Sequence, residues 1–254
     1  MLMSYTDIYK NLVEASLSLA RAKRLKRVCV GIHYTMVEIE RGGVGLAYTF
    51  LPEVKKCCEL RNEFTFWKNS ADVVVKGYLS GNPIEEVIGF ATINAVFNYK
   101  KDFLKDAISG DIFSEIKVNS KDEILMIGYF EPLFKKLEGR VGKIWVIEKP
   151  IEETNLKISD ISDKIKLAIV TSSTLVNKTL HSILENLEGI PEILLMGPTT
   201  PLNPEVFRFT PITWLCGSIV KDPELLFKMV CEGKGATSFF KSGVLEKINL
   251  RVKK

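Results

Sequence analysis

The sequence predicts an α+β module followed by an α/β module with a mostly parallel sheet. Three observations carry that prediction. Two alternating apolar runs within residues 27–51 meet at Arg41-Gly42-Gly43, which reads as an antiparallel hairpin. Beyond residue 123 come five short, continuous apolar runs separated by helical patterns, the mark of strands buried on both faces. The composition, 46% hydrophobic and 26% charged over 254 residues, supports a sizeable core in one large domain or two modest ones.

Taken in order, Ile8, Leu12, Ala15, Leu19 and Ala22 recur at helical spacing. The basic run RAKRLKR at 21–27 falls where that helix should end, and cations are favoured there by the helix dipole. It has no interleaved aromatic residues, and the net charge is only +4, so it reads as a solvated helix end and nucleic acid is not an expected partner. Val28, Val30, Ile32 and Tyr34 then alternate with Cys29, Gly31, His33 and Thr35 in one strand reaching Ile39, with His33 in mid-strand. Val44, Leu46, Tyr48 and Phe50 form the second arm of the hairpin. Residues 82–103 read as a helix capped by Asn82, with Pro83 first and Glu85-Glu86 in the opening turn. Gly89, Ala91 and Ala95 leave that helix room for close packing.

The polar stretch 109–122 marks a boundary, dividing the chain into 1–115 and 116–254. The five later strands are read at 123–130, 143–149, 166–173, 192–198 and 213–220. Val176, Leu180, Ile183, Leu184 and Leu187 mark a helix between the third and fourth, holding His181. The last helix opens at Asp222-Pro223-Glu224, an ordinary cap.

In an open parallel sheet, ligands bind beyond the carboxyl ends of the strands. Those ends carry Gly128 and Glu131, then Glu148, then Thr171-Ser172-Ser173-Thr174, then Gly197-Pro198-Thr199-Thr200, and last Cys216-Gly217-Ser218. The hydroxyl run 171–174 leads from strand to helix, where backbone N–H groups favour an anion, although capping alone explains one hydroxyl. Glu148 follows Gly128 by 20 residues, the interval at which dinucleotide folds place an acid on a ribose. The turn between them is Gly-Tyr-Phe-Glu-Pro rather than a glycine-rich loop, which argues against a dinucleotide and leaves a nucleoside or a compact metabolite. Pro198, Pro201 and Pro204 stiffen the fourth loop.

Other chemistries lack their motifs. There is no GxSxG, P-loop or HExxH. The five cysteines make no CxxC, and adjacent Cys57-Cys58 cannot easily serve one tetrahedral ion, so no protein metal site is expected. An odd cysteine count fits a reducing interior, and neither a signal peptide nor a membrane span is read, so the cytoplasm is the expected location. Glutamine is absent while Lys, Glu and Ile are abundant, which points to a heat-loving source.

The segments GVGLAYT (43–49) and IGFATINAV (88–96) resemble the N-terminal module of a two-domain family associated with heavy-metal chelation and otherwise of unknown function. IGYFEPL (127–133), VTSSTLVNKTL (170–180), GPTTPLNPEVF (197–207) and CGSIVKDPELL (216–226) resemble its C-terminal module. The resemblance implies an enolase N-terminal-like α+β domain, a Rossmann-like α/β domain and a cleft between them. Carried over by motif, the implied cleft residues are Thr171, Ser172, Ser173, Thr174, Asn177, Thr179, Gly197, Pro198, Thr199 and Thr200, with Thr49 and Asn94 from the first module. It also implies a link to metal handling, through heavy-metal chelation or metal-cofactor metabolism of the corrinoid kind, with a metal ion or a metal chelate as the bound group. With no soft-ligand cluster in the sequence, oxygen ligands or a bound organic chelator fit better.

The leading expectation is thus a protein that binds a small anionic metabolite or metal chelate in an interdomain cleft. A second reading is an enzyme, such as a transferase, using a nucleotide-like cofactor such as S-adenosylmethionine, with Glu38 or Glu131 as acid or base. A third is a carrier or interaction module without chemistry. Whether the chain catalyses anything is open at this point, and no catalytic residue is assigned. The expected partner is a small molecule, and a homodimer is kept as the expected assembly.

Overall fold

The computed structural model describes residues 7–50, 65–99, 101–148 and 158–253. Cys57, Cys58 and Lys149 lie outside the described residues. Two sheets form among them. The smaller is antiparallel and joins β1 (Leu25–Val30), β2 (Tyr34–Ile39) and β3 (Val44–Tyr48) in chain order. With it go α1 (Ile8–Ala20), α2 (Ala71–Val74), α3 (Pro83–Phe97) and α4 (Lys101–Leu104).

The predicted long first strand is two strands, because Gly31, Ile32 and His33 turn the chain between β1 and β2. Gly31 N–H donates to the Tyr34 carbonyl to close that turn. His33 is therefore a turn residue and not a mid-strand one, and Ile32 is 78% exposed despite its place in the alternation. The basic run also divides. α1 stops at Ala20, Arg21, Arg24 and Lys26 are exposed, and Arg27 is buried on β1. Its guanidinium bonds Glu38 at 2.5 Å and reaches Glu224 at 2.8 Å, so it is an internal ion pair and not a solvated helix end.

The Asn82 carboxamide accepts from the N–H groups of Ile84 and Glu85, the predicted cap of α3. Every residue of α3 from Val87 to Phe97 is buried. Its small residues admit β3 at very short range. A Cβ added at Gly45 would stand 2.0 Å from the Ala91 carbonyl oxygen and 2.2 Å from the Ala95 nitrogen.

The larger sheet has seven strands: β4 (Ile108–Ser109), β5 (Glu123–Ile127), β6 (Lys143–Ile147), β7 (Ile165–Thr171), β8 (Glu192–Met196), β9 (Trp214–Val220) and β10 (Leu245–Arg251). Their order is β4-β10-β9-β8-β7-β5-β6. Strands β5 to β9 are the five predicted runs and pair in parallel, while β10 is antiparallel to both β9 and β4. The helices of this part are α5 (Glu131–Leu137), α6 (Leu180–Glu185), α7 (Pro223–Cys231) and α8 (Ala236–Lys241). Asp222 caps α7 as expected, through the Leu225 N–H, but α8 and β10 follow it, so α7 is not the last element.

Alternate residues of the central strands enter different cores. Leu125, Ile127, Ala168, Val170, Ile193 and Leu195 pack in one cluster with Leu12, Phe90 and Val96 of α1 and α3. Ile124, Met126, Leu167, Ile169 and Leu194 pack in a second cluster with Ile112 and Leu137. The sheet is thus covered on both faces, and one of its cores runs on into the N-terminal helices. The five parallel strands lie in the order β6-β5-β7-β8-β9, so the direction of winding reverses between β5 and β7. A crevice is expected at the carboxyl ends of those two strands.

A candidate ligand cleft

A cavity of about 730 Å³ opens at that crevice. Its floor is made by the ends of β7 and β8: Thr171, Ser172 and Ser173, then Gly197, Pro198 and Thr199. The two loops are brought together by glycine. Gly197 has φ 134°, and a Cβ there would stand 2.7 Å from Ser172 Oγ. On the other side Gly128 has φ 88°, and its Cβ would stand 2.7 Å from Thr171 Cγ2. Both therefore need the left-handed region and an absent side chain. Gly128 packs against Thr171 and is not itself a lining residue.

Within the first loop the hydroxyls are organised by each other. Thr171 Oγ1 and Ser173 Oγ are 3.0 Å apart, and Thr174 Oγ1 donates to the Thr171 carbonyl at 2.6 Å. Thr174 is buried and does not line the cavity. The helix predicted to start here begins only at Leu180, after a 3₁₀ turn over Ser172–Leu175. The hydroxyl run is thus separated from the N-terminus of α6, and the helix-end argument for an anion at 171–174 fails. Asn177 and Thr179 sit beyond the turn, where the Asn177 carboxamide accepts from the Thr179 N–H and hydroxyl, outside the cavity lining.

The second loop is docked onto the N-terminal module. Asn94 Nδ2 donates to the carbonyls of Leu46 and Thr199, at 2.7 and 2.8 Å. Asn98 Nδ2 donates to the Thr200 carbonyl at 3.0 Å, and its Oδ1 accepts from the Leu202 N–H at 2.8 Å. Thr199 Oγ1 accepts from the Tyr48 N–H at 2.9 Å. Asn94 and Thr200 are fully buried struts of this dock, not lining residues. Thr49 is likewise buried, with its hydroxyl 3.1 Å from that of Thr35. Glu148 is exposed at the end of β6 and is not part of the lining.

The remaining walls come from residues that sequence reading missed. Tyr34 and Tyr48 are directly opposite in the β2–β3 ladder and meet edge to face. A turn centred on Arg41 pairs positions 34 and 48, so the predicted hairpin did contain the signal. Tyr129, Phe130 and Phe240 add aromatic surface. Lys136, Lys241 and Lys247 also belong to the lining. Lys247 lies on β10, which the sequence reading did not recognise as a strand. Its Nζ sits 5.3 Å from the centre of the Phe240 ring.

The lining carries three lysines, Lys136, Lys241 and Lys247, and two carboxylates, Asp111 and Glu131. Lys136 is paired with Asp111, and Glu131 is held by Lys135 at 2.6 Å. That hydrogen bond and charge pull the Glu131 carboxyl below its usual range, which leaves it a poor proton donor. Burial, then the charges of Arg140 and Lys247, lower the Lys136 ammonium. Among the described residues, Lys241 and Lys247 have no carboxylate partner. Glu38, the other acid considered, is engaged by Arg27 and Lys26 and is not a lining residue.

No group of three or more His, Cys, Asp or Glu side chains among the described residues is placed to hold a metal ion. The two carboxylates of the lining are each paired with a lysine. Nor is any helix among the described residues long and apolar enough to cross a membrane.

Two family models match the chain. The model of a family termed DUF364 matches residues 111–249, and that of DUF4213 matches residues 9–97; both carry the description "Putative heavy-metal chelation". An uncharacterised protein of Methanocaldococcus jannaschii is 26% identical over 206 residues, covering 74% of this chain and 76% of the relative. A crystal structure of a DUF364 protein of unknown function from Pyrococcus horikoshii superposes with a TM-score of 0.79 at 25% identity, covering 96% of this chain and 100% of that one. A second, from Desulfitobacterium hafniense, gives 0.72 at 22% identity over 95% and 98% of the two chains, a likeness of fold. The match across residues 111–249 spans more than half of the chain, which belongs to the DUF364 family.

Proposed function

We propose that this chain binds a small anionic metabolite, or a metal already held by an organic anionic chelator, in the cleft between an enolase N-terminal-like module (1–115) and a Rossmann-like module (116–254). The observation that carries the reading is the pair Lys241 and Lys247, free of carboxylate partners among the described residues and facing a hydroxyl floor. Ammonium groups give an anion its charge complement. The hydroxyls of Thr171, Ser173 and Thr199 orient it, and the flanking aromatic rings accept its apolar part. A chelate also meets the family description without requiring a cluster of His, Cys, Asp or Glu side chains as metal ligands.

The test is native mass spectrometry of the purified protein beside metal analysis of the same sample. A retained small molecule, with or without a stoichiometric metal, is expected in the wild type and lost from Lys241→Glu/Lys247→Glu. Retention of the same molecule by that double variant would remove the cleft from consideration.

The nucleotide-cofactor alternative keeps one supporting observation, the position of the cleft at the β5/β7 reversal. The exposed Glu148 gives it no ribose contact inside the lining.

A further inference from the structure

We propose that Cys29 and Cys231 form a thiol–disulfide exchange site that closes a covalent clasp between the N-terminal sheet and α7. Their Sγ atoms lie 3.3 Å apart although the residues are 202 positions apart in the chain. A disulfide at about 2.05 Å needs the sulfurs to approach by about 1.3 Å, from side chains that already converge.

Regular elements, not loops, hold the two residues. Cys29 lies in β1, opposite Met36 of β2. Cys231 is the last residue of α7, and the other end of that helix is tied to the same strand by Arg27 and Glu224. Arg27 and Cys29 are two positions apart and so share one face of β1. Close backbone packing helps, since a Cβ at Gly31 would stand 2.7 Å from the Val230 carbonyl oxygen.

Their exposure sets an order of reaction. Cys231 is exposed and Cys29 only partly so. The Cys231 thiolate attacks one sulfur of a small-molecule disulfide; that S–S bond breaks and one small thiolate leaves. Cys29 then gives up its proton and attacks the Cys231 sulfur, forming the protein disulfide and expelling the second small thiol. Two protein thiols are oxidised, and the two electrons reduce one small disulfide to two thiols. Burial, then the hydrogen bond and charge of Cys231, push the Cys29 thiol up to about 12. Forming the mixed disulfide removes that neighbouring charge, which eases the second step.

The clasp spans the contact that supports two walls of the cleft. Met36 and Leu46 pack there against Leu226, Val230 and Phe239, and Tyr34 meets Phe239 edge to face at 5.4 Å.

The experiment treats the full reduced chain with oxidised glutathione, alkylates remaining thiols and maps the unreduced digest by mass spectrometry. A linked peptide pair containing Cys29 and Cys231 is expected, reversed by reductant and absent from Cys231→Ser. The linked protein should melt higher by roughly 5 °C or more. The proposal is overturned if Cys231 accumulates as a lasting glutathione adduct without the link. It is equally overturned if both thiols stay reduced, or if either pairs instead with Cys57 or Cys58. The wild-type map alone decides, so the result does not hang on how the serine variant folds or on ligand binding in the cleft.

Discussion

Asn98 makes three hydrogen bonds from one buried carboxamide: to the carbonyls of Thr200 and Ser218 and from the Leu202 N–H. Asn98 is buried, so Asn98→Ala leaves a buried donor and two acceptors short of a partner. A loss of about 2–4 kcal/mol in unfolding free energy is expected by urea titration. Asn177→Ala is the natural control, because Asn177 is exposed and its bonds are local; a change within about 0.5 kcal/mol is expected there. Equal losses at the two sites would show that the 197–202 loop is not held from α3. Sequence reading named both Asn94 and Asn177 as cleft residues because both lie in family-like segments. A carboxamide that bonds a ligand and one that bonds a backbone carbonyl are the same letters, and only the distance to Thr199 or Leu46 separates them.

Among the elements, α3 is the most constrained. The caps, the proline and the small residues of this helix were legible, because each is a local requirement of helix ends or of close packing. Gly45 was not singled out, yet it is the residue that lets β3 lie on α3. Gly45→Ala would force a methyl group into the Ala91 and Ala95 backbone, with an expected loss of about 3 kcal/mol measured by chemical denaturation. A stability within error of the wild type would mean that the helix and strand separate at little cost. The five parallel strands were legible for a related reason. Burial on both faces demands unbroken apolar runs. By contrast β10 buries Leu245, Ile248, Asn249 and Leu250 and exposes Lys247 and Arg251 without a regular alternation, and its identity as a strand depends on β9 and β4 beside it. Lys247, and with it part of the cleft charge, went unseen for that reason.

For the whole molecule, the groups that burial perturbs most are weak acids held neutral. Burial, then the charge of Tyr48, raises the Tyr34 phenol; burial, then Tyr9 and Glu86, raises Tyr78 well above its ordinary value. Burial also raises Cys216, and Cys29 stands at about 12. In the unfolded chain thiols ionise near about pH 8.5 and phenols near about pH 10. Above those values the unfolded state holds fewer protons than the folded one, so these groups contribute stability that is full below about pH 8 and lost as the pH rises, each by up to about 1.4 kcal/mol per pH unit. Urea midpoints at about pH 7.5, 9 and 10.5 should therefore fall in sequence, most steeply in the last interval. A midpoint that holds level or rises over that range contradicts the burial of these groups.

By itself, the sequence determined the five central parallel strands, their burial on both faces and the collection of small and hydroxylic residues at their carboxyl ends. Those follow from local rules: periodicity, caps and the solvation of backbone and side chain. Tertiary structure alone decided which of those residues line a cavity. It turned Thr174, Thr200, Asn94 and Thr49 inward, left Glu148, Asn177 and Thr179 outside the lining, and brought Tyr34, Tyr48, Lys241 and Lys247 to the cleft from elements far apart in the chain. A ligand site is a property of convergence. The reversal of strand order between β5 and β7 and the docking of the Gly197–Leu202 loop on α3 create it, and neither is written in any one segment.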